Sequence, residues 1–125
     1  MIAADTSSLI NFLAGAGTPD AGRVREALRA DRLRLPPPAK TELMSRPMVG
    51  ATFEELMLGA MLLPITPGYW ERAGHNRRLI LGKGLRARLA DTLIAQCCID
   101  ADAPLITSDA DYRHFERWCG LKLVA

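Results

Sequence analysis

Five acidic residues stand where short apolar segments give way to turns or to small-residue helix faces: Asp5, Glu42, Asp91, Asp109 and Asp111. Asp5 follows Ile2-Ala-Ala, and Asp109 and Asp111 follow Pro104-Leu-Ile-Thr107, so three carboxylates lie just past two strand-like segments. In an open parallel sheet, ligands bind beyond the carboxyl ends of the strands. Asp91 is placed differently. On a helix of about 3.6 residues per turn its neighbours are Ala87, Ile94, Ala95 and Cys98, with Arg86, Gln96 and Asp100 on the other side. An aspartate on such a face needs a cation, a donor or a shared proton, because burying an unpaired carboxylate is costly.

Clustered carboxylates suit Mg2+ or Mn2+, which favour hard oxygen ligands and retain several waters. Such an ion polarises a phosphodiester, orients a water and steadies the leaving oxygen. Simpler roles stand beside this one. A strand-end aspartate often caps the helix that follows, and Asp91 can instead pair with an arginine. Glu42 competes with Glu54 and Glu55 and reads equally as a surface glutamate. No phosphate-binding glycine loop, dinucleotide fingerprint, nucleophile elbow, HExxH or paired CxxC is present. His75 and His114 lack ligand spacing, and Trp70 and Trp118 read as core or rim residues, with base stacking as the alternative.

The elements that must position these groups alternate between strand and helix. Ile2 to Ala4 reads as a strand, with Thr6-Ser7-Ser8 offering cap hydroxyls to a helix through Leu13. A helix is expected from Asp20 to Ala30 and a strand at Leu33-Arg-Leu35. Pro36-Pro-Pro38 ends that strand and can open a helix that carries Glu42 and stops before Pro47. Further helices are predicted over Thr52 to Met61, Tyr69 to Ile80 and Leu85 to Asp100, with strands at Leu62 to Ile65, Pro104 to Thr107 and Leu121 to Val124. A turn at Ser108 to Asp111 enters a helix through Phe115. This alternation predicts an α/β fold: a mainly parallel central sheet covered on both faces, in one domain spanning residues 1–125.

Composition narrows the class. With 49% hydrophobic and 24% charged residues the chain is ordinary globular material. No apolar run approaches the ~20 residues needed to span a bilayer, and the start lacks signal-peptide features. Three cysteines, two of them adjacent at 97 and 98, do not make a disulfide framework. A cytoplasmic protein without membrane association is expected. The formal charge of +2 excludes an indiscriminate polycation. Arg72, Arg77, Arg78, Lys83, Arg86 and Arg88 nevertheless fall in one stretch, which is either a solvated helix face and loop or a local phosphate-binding surface. Arg77, Arg78, Lys83, Arg86 and Arg88 are the RNA-contact candidates, because they precede the Asp91 helix.

The ordered set Ala4-Asp5-Thr6-Ser7, Thr41-Glu42-Leu43, Ala90-Asp91-Thr92-Leu93-Ile94-Ala95 and Leu105-Ile-Thr107-Ser108-Asp109-Ala110-Asp111-Tyr112 closely resembles the PIN-domain family. Within that family it looks like the toxin ribonucleases of bacterial VapBC toxin–antitoxin pairs. The resemblance implies a three-layer α/β/α sandwich and an acidic quartet of Asp5, Glu42, Asp91 and Asp109 binding one or two Mg2+ or Mn2+ ions. Asp111 would be an additional acid beside it, and Thr6 and Thr107 would orient Asp5 and the last acidic turn. It further implies hydrolysis of RNA by activated water without a covalent intermediate, a cognate antitoxin, and a homodimer or larger toxin–antitoxin complex. The triple proline before Glu42, Met48-Val49-Gly50 after it, and Tyr112 in place of a more usual phenylalanine depart from the family pattern.

Three other functions compete. A metal-dependent phosphatase of similar topology needs a second aspartate two positions after the first, where this chain has Ser7; a receiver domain needs a lysine after a late strand, and Leu105-Ile-Thr107-Ser108 supplies none. A catalytically inactive RNA-binding or assembly module of the same fold is the non-enzymatic reading.

Overall fold

A computed structural model describes residues 1–125. Four short strands, β1 (Ile2–Ala4), β2 (Leu33–Leu35), β3 (Met61–Leu62) and β4 (Leu105–Ile106), form one sheet in the order β3-β2-β1-β4. Every pairing is parallel, with Ala3 opposite both Arg34 and Leu105. Strand β1 is therefore flanked on both edges, which is why Ala3 and Ala4 are fully buried and small. The chain proceeds outward from β1 to β2 and β3, then returns to the other side of β1 for β4. Between β1 and β4 lies the topological switch point, the crevice where open α/β sheets receive ligands.

Seven helices cover the sheet: α1 (Thr6–Leu13), α2 (Pro19–Arg29), α3 (Pro37–Met44), α4 (Ala51–Gly59), α5 (Tyr69–Gly82), α6 (Leu89–Ala101) and α7 (Tyr112–Cys119). Together they make the three-layer α/β/α sandwich with a parallel sheet that the sequence predicts. Leu9, Leu35, Leu43, Ile94, Leu105, Ile106 and Phe115 come from six different elements and meet in one continuous core. Fully burying one such side chain contributes about 1.5–3 kcal/mol, so this core holds together elements too short to be stable alone. No helix is long and apolar enough to cross a membrane.

Several boundaries differ from the sequence reading, each for a local reason. The cap of α1 is Asp5, whose carboxylate accepts the Ser8 N–H, so Thr6, Ser7 and Ser8 form the first turn instead of capping it. Pro37 and Pro38 open α3 in its first turn, where their missing N–H groups cost nothing. Helix α4 begins one residue earlier than expected and ends at Gly59; β3 follows as Met61–Leu62, and Pro64, with no N–H, limits its extension. Helix α6 starts at Leu89 instead of Leu85. Gly84, at φ +75°, and a bond from Arg77 Nε to the Ala87 carbonyl keep residues 84–88 as a loop. Ala87 and Arg86 therefore do not belong to the Asp91 helix. The expected last strand is reduced to a single parallel bridge, Leu105 to Leu123. Cys97 and Cys98 are buried free thiols, and Cys119 is partly buried and free.

Candidate active site

The end of β1, the turn after β4 and the start of α6 converge at the switch point. Asp5 is almost fully buried and both its oxygens are engaged: Oδ1 accepts the Ser8 N–H at 2.9 Å and Oδ2 accepts the Thr107 hydroxyl at 2.6 Å. Thr107 in turn accepts the Asp109 N–H at 3.0 Å, and Asp109 Oδ1 accepts the Asp111 N–H at 2.9 Å. One hydroxyl thus ties the first strand's aspartate to the last acidic turn, and Asp109 closes that turn on itself in the manner of an Asx turn. The carboxylate of Asp5 is fixed in direction while keeping lone pairs free, since an ionised carboxylate has about four acceptor sites.

Asp91 lies in the first turn of α6. Its Oδ1 accepts the Tyr112 hydroxyl at 3.3 Å, whereas its Oδ2 is buried without any partner. An orphaned carboxylate oxygen is unusual, because leaving a buried acceptor unsatisfied costs about 1–3 kcal/mol or more when charged. No arginine or lysine forms an ion pair with it. Burial raises the Asp91 carboxyl above the ordinary range and the nearby Asp109 charge adds to this, with Asp5 contributing in the same sense; the Tyr112 bond and the Arg88 charge oppose them. Asp5 is raised as well, by burial and by Asp109, against the bonds from Thr107 and Ser8. Mutual repulsion among the three carboxylates records their proximity.

Glu42 approaches from α3. Its Oε1 accepts the Thr6 hydroxyl at 2.5 Å, so Thr6 orients Glu42 instead of Asp5, the role assigned to it from the sequence. Thr107 is the hydroxyl that ties Asp5 to the acidic turn. Asp111 faces outward, with its Oδ2 4.0 Å from Arg86 Nη1. In the sequence Tyr112 shows only as a departure from a common phenylalanine, yet its hydroxyl is the sole side-chain donor to Asp91. Its place in the first turn of α7, three residues after Asp109, was the available signal.

The five basic candidates separate. Arg86 touches Asp111 and Arg88 caps α6 near Asp91, so these two border the acids. Arg77 is spent on the Ala87 carbonyl. Arg78 and Lys83 line a different cleft, with His75, Leu79 and Gly82. Both tryptophans are exposed.

No three acidic, histidine or cysteine side chains stand close enough to make a complete ligand cage. That spacing still fits Mg2+, which is commonly held through one or two carboxylates while most of its water remains. The oxygen-only donor set and the unpartnered Asp91 Oδ2 are the features that fit such an ion.

Comparison with known proteins agrees with this architecture. The family model for the PIN domain matches residues 2–117. No curated protein matches the chain. Among solved structures, VapBC2 from Rickettsia felis, crystallised bound to a DNA fragment from its promoter, superposes with a TM-score of 0.70 at 16% identity, covering 99% of this chain and 98% of that one. At that identity the likeness is one of fold.

Proposed function

Because this chain belongs to the PIN-domain family, whose members are generally divalent-metal nucleases, we propose that it is an Mg2+- or Mn2+-dependent endoribonuclease and the toxin of a VapBC-type toxin–antitoxin pair. The observation that carries the nuclease reading is Asp91: a half-buried carboxylate with one buried oxygen unpartnered, repelled by Asp5 and Asp109 across the switch point. Asp5, Asp91, Asp109 and Glu42 would hold the ion, one or two of them directly and the others through its retained waters, with Asp111 an outer acid. A bound ion there would supply charge stabilisation for the phosphoryl oxygens and a water of lowered pKa. The chain's own part is preorganisation. Thr107 fixes Asp5 and Asp109 relative to each other, Thr6 fixes Glu42, and Tyr112 engages one oxygen of Asp91 and leaves the other without a partner. Arg86 and Arg88 at the rim would draw the phosphodiester toward a site whose own charge repels it.

The toxin assignment draws on the fold shared with VapBC2. It brings with it a cognate antitoxin, RNA as substrate, a homodimer and a cytoplasmic location. An inactive RNA-binding module of the same fold is disfavoured by the completeness of the acidic set.

Purified full-length chain, freed of partners, should cut single-stranded or loop RNA with added Mg2+ or Mn2+ and stop on addition of EDTA. Cleavage that persists in EDTA would overturn the metal-dependent reading. Metal-dependent binding of RNA without cleavage would turn it toward the binding-module alternative.

A further inference from the structure

Residues 72–88 contain six arginines and lysines and no acid. Arg72 is held by Asp100 and Arg77 by the Ala87 carbonyl, and Arg86 stands 4.0 Å from Asp111 at the rim of the acidic site. Arg78 and Lys83 form no ion pair, and line a surface cleft of about 430 Å3 with His75, Leu79 and Gly82. Lys83 is nevertheless placed. Its Nζ lies 3.8 Å from the ring centroid of Trp118 on α7, and the Arg117 guanidinium lies 4.7 Å from the same ring. Trp118 remains 38% exposed. A ring face attracts cations through its quadrupole but accepts none of their hydrogen bonds in the ordinary sense. The N–H donors of Lys83 and Arg117 are therefore oriented by the indole and still available.

We propose that Lys83 and Arg117, mounted on Trp118, together with Arg78 in the cleft that Lys83 also lines, form a second phosphate-binding surface that grips the backbone of single-stranded RNA outside the reacting bond. For its substrate the inference rests on the ribonuclease reading above. Proximity supports it: Lys83 is three residues from Arg86, which touches Asp111, so their Cα atoms are at most about 11 Å apart. A strand leaving the acidic site would meet the surface within a few phosphates. Composition supports it too, because cations interleaved with an exposed aromatic ring are the pattern that tracks single-stranded nucleic acid. An acidic protein segment is the competing occupant, and the experiment separates the two.

Binding of a long single-stranded RNA to the full chain is measured in EDTA, where cleavage does not intervene, across a range of salt. The Lys83→Ala, Arg117→Ala double variant should flatten the slope of log K against log salt by about 1.4, two contacts at about 0.7 each for single strands. Trp118→Leu should weaken binding similarly, while Trp118→Phe, which keeps an aromatic face, should retain most of it. With metal present, KM of the double variant should rise more for the long RNA than for an oligonucleotide covering only the cut bond. Thermal melts establish that each variant is folded. An unchanged salt slope, an equal rise in KM on both substrates, or loss of polyglutamate binding in place of RNA binding would overturn the proposal. If the parent grips RNA with the expected slope but never cuts it, the ribonuclease reading falls and the surface stands. If the double variant cuts long RNA with the parent's KM, the surface falls and the reading stands.

Discussion

Asp91 and Asp100 sit in the first and last turns of the same helix, α6, under opposite conditions. Asp100 is fully partnered. Its Oδ1 accepts Arg72 Nε at 3.0 Å and Gln96 Nε2 at 2.8 Å, and its Oδ2 accepts Arg72 Nη2 at 2.7 Å. The network continues from Gln96 to Asn76 and from Arg72 to Thr66 and the Pro67 carbonyl. Gly68 makes room for it: at φ +84°, a Cβ there would lie 2.5 Å from Arg72 Nη1. Burial alone would raise the Asp100 carboxyl, but the bonds from Arg72 and Gln96 outweigh it and bring the group below its ordinary value. Asp91 has one weak donor, a buried orphan oxygen and two repelling carboxylates nearby, and its value is raised. A carboxylate that serves the fold is satisfied within the fold; one left short of partners points to something the chain itself does not contain.

The sharpest way to break this contrast is by activity. Asp91→Asn should lower metal-dependent RNA cleavage by about a hundredfold or more, the scale of losing one preorganised electrostatic group. Asp100→Asn should leave turnover close to the parent's and lower the melting temperature by a few degrees, since a partly exposed pair contributes modestly. Equal losses of turnover from both would mean that the Asp100 network acts through the placing of α6, and the two ends would no longer differ in kind.

A smaller effect should appear in metal-induced stability. A ligand that binds only the folded state stabilises it by RT ln(1 + [L]/Kd), about 2.7 kcal/mol at a hundredfold excess over Kd. Mn2+ should therefore raise the melting temperature of the parent and of Asp100→Asn alike. Most of that rise should vanish in Asp91→Asn. A full metal response in Asp91→Asn would remove Asp91 from the ligand set.

How much of this was readable in the sequence differs between the two ends of α6. Asp91 stood out because an aspartate among Ile94, Ala95 and Cys98 contradicts its surroundings, and the strand-end aspartates stood out because parallel sheets bind at that edge. Gln96 and Asp100, on the opposite side of the wheel, carried no such signal. Helix α5 covers that side, so Gln96 is buried against Asn76, a fact of packing that periodicity does not encode. The partner of Thr6 is hidden for a related reason: Glu42 is 36 residues away and arrives on a helix opened by the proline run. The basic stretch appeared as one feature because its members are close in sequence. On a helix and an irregular loop, neighbouring side chains point in different directions, which separates Arg77, Arg78 and Lys83 from Arg86 and Arg88.

The smallest effect, and the one least dependent on any ligand, is the response of the metal-free protein to pH. A carboxyl raised by folding binds its proton more tightly in the folded state than in the unfolded one, so it favours folding below its unfolded value and loses that contribution as pH climbs to the folded value. Asp5 and Asp91 are of this kind, so in EDTA they should make the protein less stable as pH rises from about 4, the ordinary carboxyl range, through their raised values. Asp100 and Asp20 have the opposite sign. Burial would raise Asp20, but Thr18 and the bond from Asn11 outweigh it and hold it at about 2, so its contribution is present above about pH 4 and lost on acidification toward about pH 2; that of Asp100 has the same sign. Differences between variants isolate each end of α6 from the other titrating groups. Relative to the parent, Asp91→Asn should gain stability as pH rises above 4, because the amide does not ionise under repulsion, and the gain should level off once the parent's Asp91 is fully charged. Asp100→Asn should lose stability relative to the parent over the same rise, and the two should converge on acidification as the parent's own Asp100 takes up its proton. Melts of the three proteins in EDTA, in a pH series running to either side of about 4, the ordinary carboxyl value, would show two difference curves of opposite slope. Parallel curves would mean that Asp91 is held by the fold as Asp100 is, and that its orphaned oxygen marks no waiting ligand.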